Sequence, residues 1–360
     1  MKTMNRILVC CQTGFSILML LIVVCGCSVN KKNVSGLITL VNNETEKKVD
    51  VLIDKNLFTS YLYSDDISVL KKTTLYPIIA ANGQTVTRGY PLNTRPNERT
   101  DHPHHIGAWF NFGDVNGLDF WGNSDEIKTP KEKLGTIRHE KIVALENGEQ
   151  KASMDVQANW LKPDGSVLLK EETKFVFYAE NGKRIIDRVT TLKAQSEMVS
   201  FNDTKEGMFA IRTARELEHP SDSPVNLSDE NGHKTTVKVV NNTGVSGNYM
   251  SSEGIEGADV WGTRAKWMAL SGTINKEDVT LVIMDGPQNM GYPTYWHARS
   301  YGLFSANPFG QKAFTDGKEA SMNFSLKPNS SVTFTYRIEI LNGNYSRERL
   351  ESEYQKFVND

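Results

Sequence analysis

Cysteine is absent from almost the whole of this 360-residue chain: Cys10, Cys11, Cys25 and Cys27 all fall in the first 27 residues. No disulfide framework and no thiolate chemistry is therefore available downstream. Basic excess is also lacking, with 41 Lys and Arg against 43 Asp and Glu and a formal net charge of −2. A polyanion such as DNA needs a basic face, so nucleic acid is not an expected partner. The one sustained apolar run, "ILMLLIVV" at 17–24, falls short of the roughly 20 residues a spanning helix requires. Internal repeats and low-complexity linkers are missing too, which excludes a repeat array. What remains is ordinary globular composition, 39% hydrophobic and 23% charged, enough to bury a sizeable core.

The apolar run has a different use. Lys2 and Arg6 form a positive region before it, and "VCGC" follows it, with small Gly26 preceding Cys27. This resembles the lipobox of bacterial lipoproteins, which implies a signal peptide at 1–26, cleavage before Cys27 and lipidation of its thiol. A plain secretory signal or an uncleaved anchor is the alternative. Residues 27–36 read as a short polar tether, and 37–360 as a single domain with no composition shift to divide it. Because "SVNKKN" after Cys27 is not acidic, the expected location is the bacterial cell envelope, lipid-anchored to the membrane and facing the periplasm.

Beyond the tether the dominant signal is period-2 alternation, the mark of half-buried strands. In "ASMDVQANWL" the residues Ala152, Met154, Val156, Ala158 and Trp160 share one face. In "SVTFTYRIEI" the same holds for Val332, Phe334, Tyr336, Ile338 and Ile340. "ENG" at 180–182 is a hairpin signal, since Asn-Gly suits the positive φ angles of a tight turn. One helix is expected near the C-terminus, where Leu350, Tyr354, Phe357 and Val358 recur at helical spacing. Many short strands joined by hairpin turns predict an all-β chain, a large antiparallel β-sandwich with that helix capping an exposed sheet.

Four segments break the alternation and concentrate polar, aromatic and glycine residues: 94–122, 201–212, 262–272 and 292–310. Local rules that fail together point to function. The first contains "DHPHH". If it is extended, His102 and His104 face one way and His105 the other. A His-x-His pair is a metal half-site that Asp101, Glu206 or His297 could complete. The competing readings are acid–base duty, which histidine's pKa permits, and buried imidazoles that tie loop backbone together. In the second segment Glu206, beside Met208 and Phe209, is a candidate base if desolvated; a solvated turn is the plainer reading. In the fourth, alternation places Tyr295, His297, Arg299 and Tyr301 on one face. Aromatic rings with Arg and His beside them suit a carbohydrate subsite, since sugar CH faces meet rings and hydroxyl edges need donors. A Tyr-rich sandwich strand would look similar. "ANPFG" and "GDVNGLDFWG" read as turn chemistry that shapes loops.

Taken in order, "TDHPHH-G-WF--GDVNG-DFW", "DTKEG-F-IR", "G-RA-W" and "YPT-WH-R-YGLF-ANPFG" resemble the DUF6807 family, over roughly residues 50–345. The family usually carries a basic residue after the double histidine, where this chain has Ile106. Its members are often labelled "methane oxygenase PmoA". That label is not expected to hold, because such a subunit crosses the membrane several times and this chain has one apolar stretch. The resemblance implies a galactose-mutarotase-like supersandwich. The combined expectation is a carbohydrate-active enzyme of hydrolase, lyase or epimerase type, acting on a saccharide or oxidised sugar. His104 or His297 would be the acid and Glu206 the base. Substrate contacts would come from Asp101, His102, His105, Trp109, Asn116, Lys205, Arg212, Arg264, Tyr295, Trp296, Arg299 and Tyr301. No cofactor is expected, a metal on His102 and His104 being the open alternative. A non-catalytic glycan-binding lipoprotein is the reading from another class.

Overall fold

The computed structural model describes residues 36–180 and 182–359. The signal peptide, Cys27, the tether up to residue 35 and Asn181 of the expected turn lie outside them.

Two eight-stranded antiparallel sheets carry the fold. The first runs, edge to edge, Ile38–Asn43, Lys48–Ile53, Asn56–Leu62, Thr74–Ile78, Ala108–Phe112, Gly207–Arg212, Leu303–Asn307 and Tyr295–Arg299. The second runs Asn248–Ser251, Trp267–Ile274, Glu277–Asp285, Ser331–Asn342, Lys183–Ala194, Val167–Glu180, Lys151–Leu161 and Thr136–Glu146. Two short ribbons, Val199–Phe201 with Phe324–Leu326 and Val225–Ser228 with Lys234–Val237, lie outside these sheets.

Period-2 patterning decides which faces meet. Met154, Val156, Ala158 and Trp160 are buried, as are Phe334, Tyr336, Ile338 and Ile340. They pack against the inner face of the first sheet. Phe209 stacks on Tyr336 with centroids 5.1 Å apart, and Phe110 meets Trp160 and Phe334 at 6.3 and 5.9 Å. The expected sandwich is the observed architecture. One inward position breaks the apolar pattern. Glu171 and Arg188 form a buried ion pair at 2.6 Å, and Trp160, Thr173 and Thr190 take up their remaining hydrogen bonds. A charge pair can lie in a core only when its polar atoms are satisfied in this way.

The C-terminal helix spans Arg347–Asn359. Leu350, Tyr354 and Phe357 pack on Trp267, Ala269, Val282, Met284 and Leu341, on the outer face of the second sheet. Val358, grouped with them by spacing, is instead 39% exposed. It lies one step past the buried stripe. The helix does not reach the outer face of the first sheet, where three of the four unusual segments collect; 262–272 enters the second-sheet strand Trp267–Ile274.

Candidate functional site

Four neighbouring strands of the first sheet align one residue each in a row. Trp109 pairs with Ala210, Ala210 with Ser305, and Ser305 with His297. All four side chains point away from the sandwich core, because Phe110, Phe209, Phe304, Trp296 and Ala298 fill the inner face. Small side chains at the two middle positions leave room above them for rings entering from either side. The Ser305 hydroxyl donates to the Gly207 carbonyl.

The "DHPHH" segment crosses this face as a turn, not as an extended strand. His102 takes φ +44°, and the His105 N–H donates to the His102 carbonyl at 3.0 Å. The alternation expected of 101–105 is therefore lost. His102 stacks on His105 (4.7 Å, 3°) instead of siding with His104, and His105 stacks on Trp109 (5.2 Å, 20°). Tyr301 closes the other end, 5.3 Å from His102 and nearly parallel to it. Trp121 packs edge-on to Trp109 and His105, so the segment read only as loop chemistry also supplies an aromatic wall.

Arg88, which carries no motif around it, organises the turn. Its guanidinium donates to the carbonyls of Arg99, Asp101, His102 and His105 and to the Asp101 carboxylate. The same Asp101 oxygen accepts from Arg212 at 2.6 Å. Burial alone would raise the Asp101 pKa, but Arg212, His102 and Arg88 outweigh it and hold the carboxyl far below the usual range. Arg212 also donates to His105 Nδ1 at 3.2 Å. A guanidinium has no acceptor, so Nδ1 carries the lone pair and the His105 proton sits on Nε2. Lys72 lies under the turn, donating to the His104 carbonyl at 2.6 Å. Burial pulls its ammonium down to about 7 against the pull of Asp119.

Glu206 and His297 come from segments nearly a hundred residues apart, yet their Oε2 and Nδ1 atoms lie 3.8 Å from one another. Burial pushes the Glu206 carboxyl up, with Lys205 opposing. Burial, helped by Arg299 and Lys205, pulls His297 down to about 3. Burial and the Lys72 charge hold His104 well below the ordinary imidazole value; burial, His104 and Arg212 do the same to His105. The buried imidazoles are thus neutral at neutral pH, and beside them stands a carboxyl whose pKa burial raises. His104 Nδ1, His105 Nε2 and His297 Nδ1 are buried without a hydrogen-bond partner. A buried polar atom left this way is costly in a finished core and usual in a site.

Not every expected residue joins this face. Trp296 is turned into the core, where its indole donates to the Ala265 carbonyl. The Asn116 side chain is bound to the backbone of Met198 and Ser200. Arg264 donates to the carbonyls of Gly291, Tyr292 and Pro293, which makes it a loop clamp. Tyr295 does lie on the His297 side of its strand, where both pack against Phe314. Sequence reasoning missed Arg88 and Lys72 entirely, because a lone Arg or Lys in a loop carries no signal.

The metal alternative fits these positions poorly. The His102 and His104 rings meet edge to face at 5.8 Å, with His104 turned beneath the loop. Among the described residues no three His, Cys, Asp or Glu side chains come together as a ligand set. A groove of about 690 Å³ lies elsewhere, lined by Arg95, Glu98, Arg215 and Val239 among others. Two of its arginines are engaged in ion pairs, Arg95 with Glu98 and Arg215 with Glu218.

The motifs that build the face fall within one family pattern: residues 48–355 match the model of a family of unknown function, DUF6807. The chain belongs to the DUF6807 family. No curated protein matches this DUF6807 chain. Among solved structures it is similar to a family 36 α-galactosidase from Geobacillus stearothermophilus, at 9% identity and a TM-score of 0.41, covering 86% of this chain and 41% of that one. An α-galactosidase from Lactobacillus brevis gives 9% and 0.41, with 90% and 42% covered. A galactose 1-epimerase from Lactobacillus acidophilus gives 8% and 0.35, with 85% and 98% covered. The chain spans about two fifths of the length of the galactosidases. Likeness this distant bears on neither substrate nor mechanism. No helix among the described residues is long and apolar enough to cross a membrane.

Proposed function

We propose that this DUF6807 protein is an exported lipoprotein that binds a saccharide on the outer face of its first sheet and moves protons on it. The observation that carries the reading is the Glu206–His297 pair, 3.8 Å apart, beside a wall of stacked rings. Rings offer apolar surface to sugar CH groups, while His102 and Glu206, whose side chains are partly exposed, offer hydrogen bonds to its hydroxyls. Glu206, its pKa raised by burial, serves as the base that takes a proton from a hydroxyl or from a carbon next to a carbonyl. His297, kept neutral, hydrogen-bonds the oxygen on which charge develops, a role a neutral imidazole can fill. His104 and His105 are held as further neutral partners.

The experiment is proton NMR of neutral and oxidised mono- and disaccharides incubated with the full chain. Wild type should convert at least one, and Glu206→Gln and His297→Asn should each slow that conversion by roughly 10²–10⁴-fold. Sugars that bind but are never converted would replace the enzyme reading with that of a glycan-binding protein. The anchor has its own test: Cys27→Ser should move the protein from the membrane fraction to the soluble one, and unchanged fractionation would refute lipidation there.

A further inference from the structure

The charges around the site are unequal in a way that names the substrate class. Among the cations, Arg88 and Arg212 are spent on Asp101, and Lys72 is buried on the His104 carbonyl. Arg299 is different. It ends the strand Tyr295–Arg299 and is exposed. Its guanidinium lies 5.7 Å from the rings of Trp261 and Tyr301 and makes no hydrogen bond or ion pair with any described residue. It lies two residues from His297 on the same face and is the leading charge acting on that imidazole. Lys205, 54% exposed, adds a second cation with Glu206 alone near it, at 3.7 Å. The open side of the site therefore offers two exposed cations, Arg299 and Lys205, beside the Glu206 carboxyl, whose pKa burial raises.

Resting on the saccharide reading above, we infer that the sugar is an acidic one, carrying a carboxylate that Arg299 reads. A planar guanidinium, held over two aromatic rings and free of a protein acid, presents paired N–H donors in the geometry a carboxylate accepts. Arg212 cannot fill this role, because it is fully buried and its two terminal nitrogens go to His105 and Asp101. A bound carboxylate would also offset the Arg299 charge that depresses His297, and would make Glu206 harder to ionise. Any proton exchanged on binding should then be taken up and not released.

The test is calorimetric titration of the full chain with matched twins, D-galacturonate against D-galactose and D-glucuronate against D-glucose. It is run in two buffers of different ionisation enthalpy, with wild type, Arg299→Gln and Arg299→Lys. In at least one pair the acid should bind about tenfold or more tightly than its neutral twin, with any linked proton taken up. Arg299→Gln should erase that preference by lowering affinity for the acid to that of its neutral twin, and Arg299→Lys should restore part of it. Equal binding of both twins, or a preference indifferent to Arg299→Gln, overturns the acidic-sugar inference and leaves the saccharide site standing. If no member of either pair binds, the saccharide reading falls and this inference with it. Because Arg299 is exposed, the variants should melt like wild type, so a lost preference cannot be ascribed to unfolding.

Discussion

Asp101 accepts hydrogen bonds from two buried arginines through one carboxylate oxygen, Arg88 at 2.8 Å and Arg212 at 2.6 Å. That relationship holds the histidine turn on the sheet. Arg88 ties the backbone of 99–105, Arg212 fixes the His105 tautomer, and the shared carboxylate offsets both charges.

Removing it should be expensive. Asp101→Asn leaves two buried guanidinia without a counter-charge, a loss on the order of 2–4 kcal/mol at neutral pH. Urea unfolding should show this as a lower midpoint at unchanged slope. Because the native Asp101 pKa lies below its unfolded value, the stabilisation is complete above the unfolded pKa and fades as pH falls toward the native one. The wild-type advantage over the variant should therefore shrink in strong acid.

The pH profile of any turnover should carry the mark of Glu206. A base whose pKa burial has raised above 4.5 gives an ascending limb displaced to higher pH than a free glutamate would. The same shift has a stability cost. A carboxyl with a raised native pKa contributes fully below its unfolded value, and that contribution is lost as pH rises through the native one. Glu206→Gln should then melt higher than wild type at pH 8 and closer to it at pH 4, while losing turnover. A variant that loses both stability and turnover at every pH would mark Glu206 as structural.

Glu339 offers a test of the electrostatics away from the site. Burial, with Glu353 adding, raises its pKa to about 7, and its Oε2 has no hydrogen-bond partner. Its contribution is present below pH 4.5 and lost as pH rises through 7. Glu339→Gln should stabilise the protein by on the order of 2 kcal/mol at pH 8 and by little at pH 4. Thermal melts at the two pH values check this.

The C-terminal helix is held by packing. Leu350 is fully buried against the outer face of the second sheet, so Leu350→Ala should cost about 2–5 kcal/mol. Chemical denaturation would show it, and a near-neutral result would mean the helix is not docked as described.

The fold was legible wherever one physical rule acted alone. Strict alternation gave the inward face of Lys151–Leu161 and Ser331–Asn342, and helical spacing gave three of the four residues on Arg347–Asn359. It failed at Glu171, whose inward position is tolerable only because Arg188, seventeen residues on, meets it in space. The site was legible in outline, since three of the four segments that break the pattern build it, while 262–272 enters the second-sheet strand Trp267–Ile274. Asp101, Glu206, His297 and Tyr301 converge as their residue types suggested. The orientation of "DHPHH" was not legible, because a positive φ at His102 is imposed by Arg88 gathering four carbonyls, a tertiary effect with no local trace. Trp296 and Asn116 were attractive by type and turned elsewhere by a single step of register or a backbone bond.

The central claim is that a saccharide sits on the outer face of the first sheet between the histidine turn and His297. The most direct measurement is imidazole NMR of histidine-labelled full chain during titration with the sugars above. Signals of His102 and His297 should shift together and saturate, while His139, His219 and His233 stay still. Shifts confined to those three, or none with any saccharide, would contradict the account.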